Sequence, residues 1–365
     1  MAGMVRAAVQ TGPRAIELRD FPRPAVGPDG GLIRVERCGI CGSDVEGYYG
    51  HLRADRPPTI PGHESLGIIE ELGERAARRL GLRVGDRVAV ESWLACHACE
   101  RCLRGDYKSC AKGRFGHGYT PVSVVPSLWG GYAEYLYLDP TTLLHPVRAD
   151  IPPDIAVMYN PLGAGVQWAV HLPRLQLGES LLVLGAGQRG LCALIAARMA
   201  GAGDVFVTGL ARDAAKLELA RELGATATID VEHEDTVEKV LDLTHGSGVD
   251  VVLDVTPLAT QPVLDALRAV RKGGRVVLAG LKGGGRTLEL ASDGIIQKAL
   301  TVIGAFSVDA RGYADAIRII ESGRFPLEKL HTHTFGLADT ARAIETLAGN
   351  IPGEAAIHIA IDPSR

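Results

Sequence analysis

The sequence predicts an α/β protein in two parts: a β-rich domain and a doubly wound parallel sheet of six strands with helices on both faces. Three observations predict it. Up to about residue 150, short alternating apolar runs (LIRVERCG, SLGIIEELG, RVAVES, AEYLYLD) are broken by Gly and Pro, the pattern of many short strands. From about residue 178 to 306, short apolar strands alternate with helical stretches. Two of those strands, VVLDV and RVVLAG, are near-continuous apolar runs, as strands covered on both faces are.

Taken in order, the N-terminus reads as two short strands around a Thr11-Gly12-Pro13 turn. The second part gives strands at 181–184, 204–208, 226–229, 250–255, 275–279 and 301–305. Between them, GLCALIAARMAG and RDAAKLELARELG are the clearest helices, each closing on a glycine (Gly201, Gly224) as a left-handed C-terminal cap requires. The expected strand order is 3-2-1-4-5-6, with a ligand at the carboxyl ends near the switch point. Farther on, YADAIRIIESG and ADTARAIETLAG read as helices ending at Gly323 and Gly349, and AAIHIAID as a last strand that returns to the first domain. The expected domains are therefore 1–160 with 308–365, carrying a cysteine lobe at 92–115, and 161–307.

Composition excludes several classes. Lys+Arg number 39 against 43 Asp+Glu, a net charge of −4, so nothing points to nucleic acid. No apolar run approaches the ~18 residues of a membrane span, and the N-terminus lacks a signal-type apolar core. A soluble cytoplasmic protein is expected. Glycine makes up about 12% of the chain against a usual ~7%, which suits many tight turns and close backbone approaches.

Gly185-Ala186-Gly187-Gln188-Arg189-Gly190 directly follows the strand LLVL and opens a helix, the context a dinucleotide-binding loop requires. Gly185 permits the turn, Gly187 the approach of a pyrophosphate and Gly190 close helix–sheet packing. Gln188 and Arg189 open the helix whose free N–H groups would face the phosphates. Nineteen residues after Gly190, where an NAD site usually carries an acid, stands Gly209, followed by Leu210-Ala211-Arg212-Asp213. The missing acid and Arg212 favour NADP over NAD, since a guanidinium pairs with a 2′-phosphate. The opposing reading has Asp213 reach back to the ribose.

Four of the seven cysteines fall in Cys96-x2-Cys99-x2-Cys102-x7-Cys110. Four thiolates at this spacing wrap a tetrahedral metal, with zinc as the usual occupant and an iron–sulfur cluster as the alternative. With all four positions filled by protein, the site is closed and structural. Cys41 in CGICGSD and His63-Glu64 in PGHE form a second set of donors on glycine-punctuated turns, suited to an open zinc site. Cys38 has no assigned role, and Cys192 reads as core.

In combination these motifs resemble the zinc-dependent medium-chain dehydrogenase/reductase family, which includes alcohol, polyol and sugar dehydrogenases. The resemblance runs through CGICGSD, PGHES, GIIEELG, VGDRV, the four-cysteine lobe, GGYAEY and GAGQRG. It implies a GroES-like catalytic domain, a Rossmann domain, and a substrate cleft between them. It implies hydride transfer between a small-molecule alcohol, polyol or sugar hydroxyl and nicotinamide. It also implies one structural and one catalytic zinc. Cys41 and His63 become catalytic zinc ligands, with Glu64 ligating directly or through water. Ser43 takes the alcohol proton, and Asp44 orients His63. A homodimer or homotetramer is implied through the apolar edge strand TVIGAF.

Two positions depart from the family pattern. Asn160, in MYNPLGAG, stands where the remaining zinc ligand is usually Cys, Asp or Glu, and a neutral amide is a poor ligand. Glu46 stands five after Cys41, where a relay histidine is common, while His51 falls too late and reads as a loop residue. Trp93, Tyr119, Trp129 and Tyr159 are candidates either for lining the cleft or for core packing. The competing readings are a zinc-independent quinone or enoyl reductase of the same superfamily and a non-catalytic NADPH- or zinc-binding protein.

Overall fold

The computed structural model describes residues 3–52, 55–113 and 116–365. Two compact units form, Met1–Asn160 with Leu330–Arg365, and Pro161–Lys329. Among the described residues no helix is long and apolar enough to cross a membrane.

The second unit holds the expected parallel sheet. Its spatial order is Ala227–Asp230, Val205–Gly209, Leu181–Leu184, Val249–Asp254, Val270–Leu278 and Thr301–Gly304, which is 3-2-1-4-5-6 counted along the chain. Leu182, Phe206, Val252 and Val276 are buried at its centre, which is why these strands lack polar alternation. The fifth strand begins earlier than its apolar run, at Val270, directly after the helix Gln261–Ala269. The polar residues Arg271 and Lys272 hide that start from a hydrophobicity reading. The helices Gln188–Met199 and Ala214–Glu222 are followed by Gly201 (φ 84°) and Gly224 (φ 103°), left-handed stops that a side chain would strain.

One domain boundary differs from expectation. Residues 308–329, expected with the first domain, belong to the second unit. The helix Ala310–Ser322 packs on the Val166–His171 turn of π-helix. Trp168 Nε1 donates to Ser307 O at 3.1 Å, and His171 Nε2 lies 3.0 Å from Asp315. The amphipathic pattern of that helix showed a buried face but not the partner that buries it.

The first unit is built on an antiparallel sheet whose central strand is Gly31–Gly39. That strand pairs with Glu64–Leu72 on one side. On the other it pairs with Tyr135–Leu138 along its first half and with His358–Ile361 at its end. Ile33, Ile69, Val88, Leu136 and Ile359 fill the core beneath. The strand ends at Gly39, and Cys41 then opens the short helix Gly42–Tyr48. The sheet thus brings the CGICGSD turn beside the start of Glu64–Leu72.

Candidate metal centres and nucleotide loop

Cys41 is the N-cap of Gly42–Tyr48. Its Sγ accepts from Ser43 N at 3.5 Å, and its own N–H donates to Asp44 Oδ2 at 2.9 Å. This reciprocal cap fixes the thiol and the Asp44 carboxylate in one small frame. Asp44 Oδ1 then lies 3.5 Å from His63 Nδ1. On the far side of the ring, His63 Nε2 lies 3.9 Å from Glu64 Oε1. A carboxylate on Nδ1 directs Nε2 to a metal, the usual arrangement for a ligating histidine.

Cys41, His63 and Glu64 are all buried, and each offers a donor atom within 4.8 Å of the others. A thiolate, an imidazole and a carboxylate fit zinc, and three protein donors leave a fourth position open. Glu64 is fully buried, where an anion is tolerated only beside positive charge. Burial disfavours the His63 imidazolium, but the Tyr119 hydroxyl and the Asp44 carboxylate outweigh it and hold its pKa well above the usual value. A metal at this site must therefore displace a proton from His63, and its affinity falls as pH falls. Burial likewise pushes the Cys38 thiol up to about 12, which suits a core residue and not a ligand.

Tyr119 packs against the His63 ring, centroids 5.2 Å apart, with its hydroxyl 3.3 Å from Nδ1. Tyr119 thus reaches a residue assigned to the metal, a position that a lone aromatic in GHGYT does not reveal. The other aromatic candidates with described partners are structural. Tyr159 is fully buried and donates to Ser65 O and Val90 O, and Trp129 Nε1 donates to Val124 O at 2.7 Å. Asn160 follows Tyr159 and is buried. Glu46 does not join the Cys41–His63–Glu64 group; its Oε2 lies 2.9 Å from His51 Nδ1.

The second set of donors is Cys96, Cys99, Cys102 and Cys110. Sγ separations are 3.9 Å (96–102), 3.5 Å (99–102), 3.8 Å (99–110) and 3.5 Å (96–110). A tetrahedral zinc with Zn–S of ~2.3 Å has sulfur–sulfur edges of about 3.8 Å, so the cage fits that ion. The sulfurs are too far apart for disulfides, and all seven cysteines are free. Cys99 N donates to Cys96 Sγ and Cys96 N to Cys110 Sγ, both at 3.3 Å. N–H groups of Cys102 and Ala111 push the Cys99 thiol down to about 6. Desolvation, then the neighbouring sulfurs, push Cys102 up to about 12. Four thiolates so close are not all stable without a cation between them. Of the expected lobe, residues 114 and 115 lie outside the described residues.

The nucleotide loop joins the strand Leu181–Leu184 to the helix Gln188–Met199. Gly185 has φ 110°, and a Cβ on Gly190 would stand 1.8 Å from Gly185 O. Only glycine permits that approach of helix to strand. A Cβ on Gly187 would meet nothing within 4 Å, so the backbone there is open to a ligand. Gln188 is buried, and the Arg189 guanidinium lies over the Trp168 ring at 5.1 Å. Gly209 ends the second strand. Beyond it, Asp213 Oδ2 accepts from Leu210 N at 3.2 Å, and Oδ1 lies 2.8 Å from Lys216 Nζ. Arg212 is exposed and makes no ion pair among the described residues.

Known proteins match this geometry. The chain matches the zinc-binding dehydrogenase family over residues 190–322 and the alcohol dehydrogenase GroES-like domain over residues 27–149. A protein of Mycobacterium tuberculosis named as a probable alcohol dehydrogenase is 42% identical over 364 residues, 99% of each chain. The erythritol/L-threitol dehydrogenase of Mycolicibacterium smegmatis is 32% identical, covering 99% of this chain and 98% of its own. Among solved structures, a zinc-binding dehydrogenase of Sinorhizobium meliloti bound to NADP superposes with a TM-score of 0.86. It is 27% identical and covers 99% of this chain and 100% of its own.

Proposed function

The chain belongs to the zinc-type medium-chain dehydrogenases, a zinc- and NAD(P)-dependent oxidoreductase of the alcohol and polyol class, and from that premise we propose roles for its residues. The observation that carries them is the convergence of Cys41, His63 and Glu64 with Asp44 behind the imidazole. Cys41, His63 and Glu64 hold a catalytic zinc, and Asn160 stands near the end of the same unit as a weak or absent ligand. When bound, zinc supplies Lewis acidity at the substrate oxygen. Ser43 accepts the alcohol proton, and Tyr119 packs over and shields His63. Cys96, Cys99, Cys102 and Cys110 hold a second, structural zinc.

The loop Gly185–Gly190 seats the dinucleotide pyrophosphate, and Gln188 and Arg189 bring helix N–H groups to it. NADP is preferred over NAD. Asp213 is engaged with Leu210 N–H and Lys216, while Arg212 is exposed and carries no ion pair among the described residues. A bidentate charge-assisted contact contributes about 1.5–3 kcal/mol. Arg212→Ala is therefore expected to lower the NADP-over-NAD ratio of kcat/KM at least about tenfold, since tenfold is about 1.4 kcal/mol. A wild-type preference for NAD, or an unchanged ratio in the variant, would sink the assignment.

Free thiols throughout suit a reducing cytoplasm. The edge strand Thr301–Gly304 is exposed, with Val302 and Phe306 open to solvent, which supports assembly as a homodimer or homotetramer through that edge. The experiment that tests the function combines zinc per chain with NADP or NAD reduction on secondary alcohols, polyols and sugars. Two zincs with turnover are expected. One zinc with cofactor binding and no turnover would favour a reductase or a binding protein instead.

A further inference from the structure

His358 lies behind the candidate catalytic site and has no part in the roles above. Its strand pairs with Gly31–Gly39 with Ala360 opposite Gly39, and Gly39 is opposite Glu64 on the other side. Side chains two apart on a strand share a face, so His358, Gly39 and Glu64 all face one side of the sheet. A Cβ on Gly39 would stand 2.5 Å from Glu64 Oε2 and 3.3 Å from His358 Nε2. Both atoms crowd the point that glycine leaves open, within reach of one bridging water. His358 is 1% exposed, and its Nε2 has no hydrogen-bond partner among the described residues.

The other ring nitrogen joins a short polar chain. His358 Nδ1 lies 3.0 Å from His331 Nδ1, and His331 Nε2 lies 2.8 Å from Thr334 Oγ1 and 3.6 Å from Asp154 Oδ1, to which Thr334 Oγ1 donates at 3.4 Å. That chain accommodates either tautomer of His358, and the Glu64 carboxylate chooses between them: a proton on Nε2 faces it favourably, whereas a nitrogen lone pair there would repel it.

We propose that His358 is a positioning residue for the metal site, its Nε2–H holding the Glu64 carboxylate in the orientation that ligates. The proposal rests on reading Cys41, His63 and Glu64 as metal ligands. Losing such an outer partner typically costs ~10–100-fold in metal affinity.

The test is zinc affinity of the full-length protein by competition with a chelator, for wild type, His358→Leu, His358→Gln and Cys41→Ser. His358→Leu is expected to weaken one zinc by about 10–100-fold while the zinc of the four-cysteine lobe stays bound. His358→Gln, whose amide N–H reaches the position of Nε2, is expected to restore most of the affinity. Wild-type affinity in His358→Leu, or a glutamine variant as weak as the leucine one, would overturn the proposal. Should His358→Leu not fold, His358→Asn replaces it, because its shorter amide reaches only the Nδ1 position. Equal affinities for Gln and Asn then count against the role, and tighter binding by Gln supports it. Should Cys41→Ser keep both zincs, the reading of the site itself falls, which is a separate outcome.

Discussion

His63→Ala is expected to remove one zinc per chain and lower kcat/KM by about a thousandfold or more. A thousandfold corresponds to ~4 kcal/mol, in the range a Lewis-acid contact contributes to a transition state. The loss should exceed that of a single donor because His63 links several groups. Burial raises the Asp44 pKa, and His63 opposes it, by charge while protonated and by its hydrogen bond to the carboxylate, so that the carboxyl sits below its usual range. Without the imidazole, Asp44 loses that partner in a buried setting and is driven toward the protonated form. Its acceptor role toward Cys41 N–H then weakens, and with it the cap that places the thiol. The lobe zinc should remain, because no cysteine of the lobe belongs to the His63 group. Elemental zinc and initial rates on the same preparation check this. Activity within tenfold of wild type, with both zincs retained, would falsify the assignment of His63.

Much of the fold was legible because its determinants are local. Apolar runs of four to six residues marked the buried strands, and Gly201 and Gly224 marked helix ends. The Gly190–Gly185 approach explains why GAGQRG reads reliably, since a 1.8 Å Cβ clash leaves no alternative residue. The cysteine lobe was legible for the same reason, as its four donors lie within fifteen residues. What the sequence hid depends on packing between distant segments. The helix Ala310–Ser322 shows an apolar face in its sequence, but only Trp168 and His171 show where that face goes. Tyr119 and His358 reach the metal site from 56 and more residues away, Tyr119 through His63 and His358 across Gly39. Glu46 followed a family position, yet its partner is His51, which its place in the sequence marked only as loop.

Removing the lobe metal is expected to be the largest stability effect in the molecule. No residue between Cys96 and Cys110 is buried, so that stretch has no apolar core of its own. What closes it is the cage of four sulfurs, with tethers that include His97 Nε2, 2.9 Å from Thr141 O, and the Tyr107 hydroxyl. Tyr107 donates to the fully buried Glu91 at 2.6 Å, and Glu91 also lies 2.7 Å from His145 Nε2. Binding of structural zinc contributes roughly 10–16 kcal/mol of apparent free energy in small zinc peptides, and part of that is folding free energy here. Cys99→Ala leaves three thiols and so an incomplete cage. A loss of only ~4 kcal/mol would lower Tm by about 5 °C in a protein of this size. Zinc should fall by one per chain, and protease cleavage should appear within 96–110, while the Cys41 site keeps its ion. A variant with full zinc and an unchanged Tm would show that the cage carries no load. A coloured protein with iron in the lobe would replace zinc with a cluster, and the dependence of folding on the metal would stand unchanged. The two sites therefore answer different questions: loss of the Cys99 metal reads out in stability, and loss of the His63 metal in chemistry.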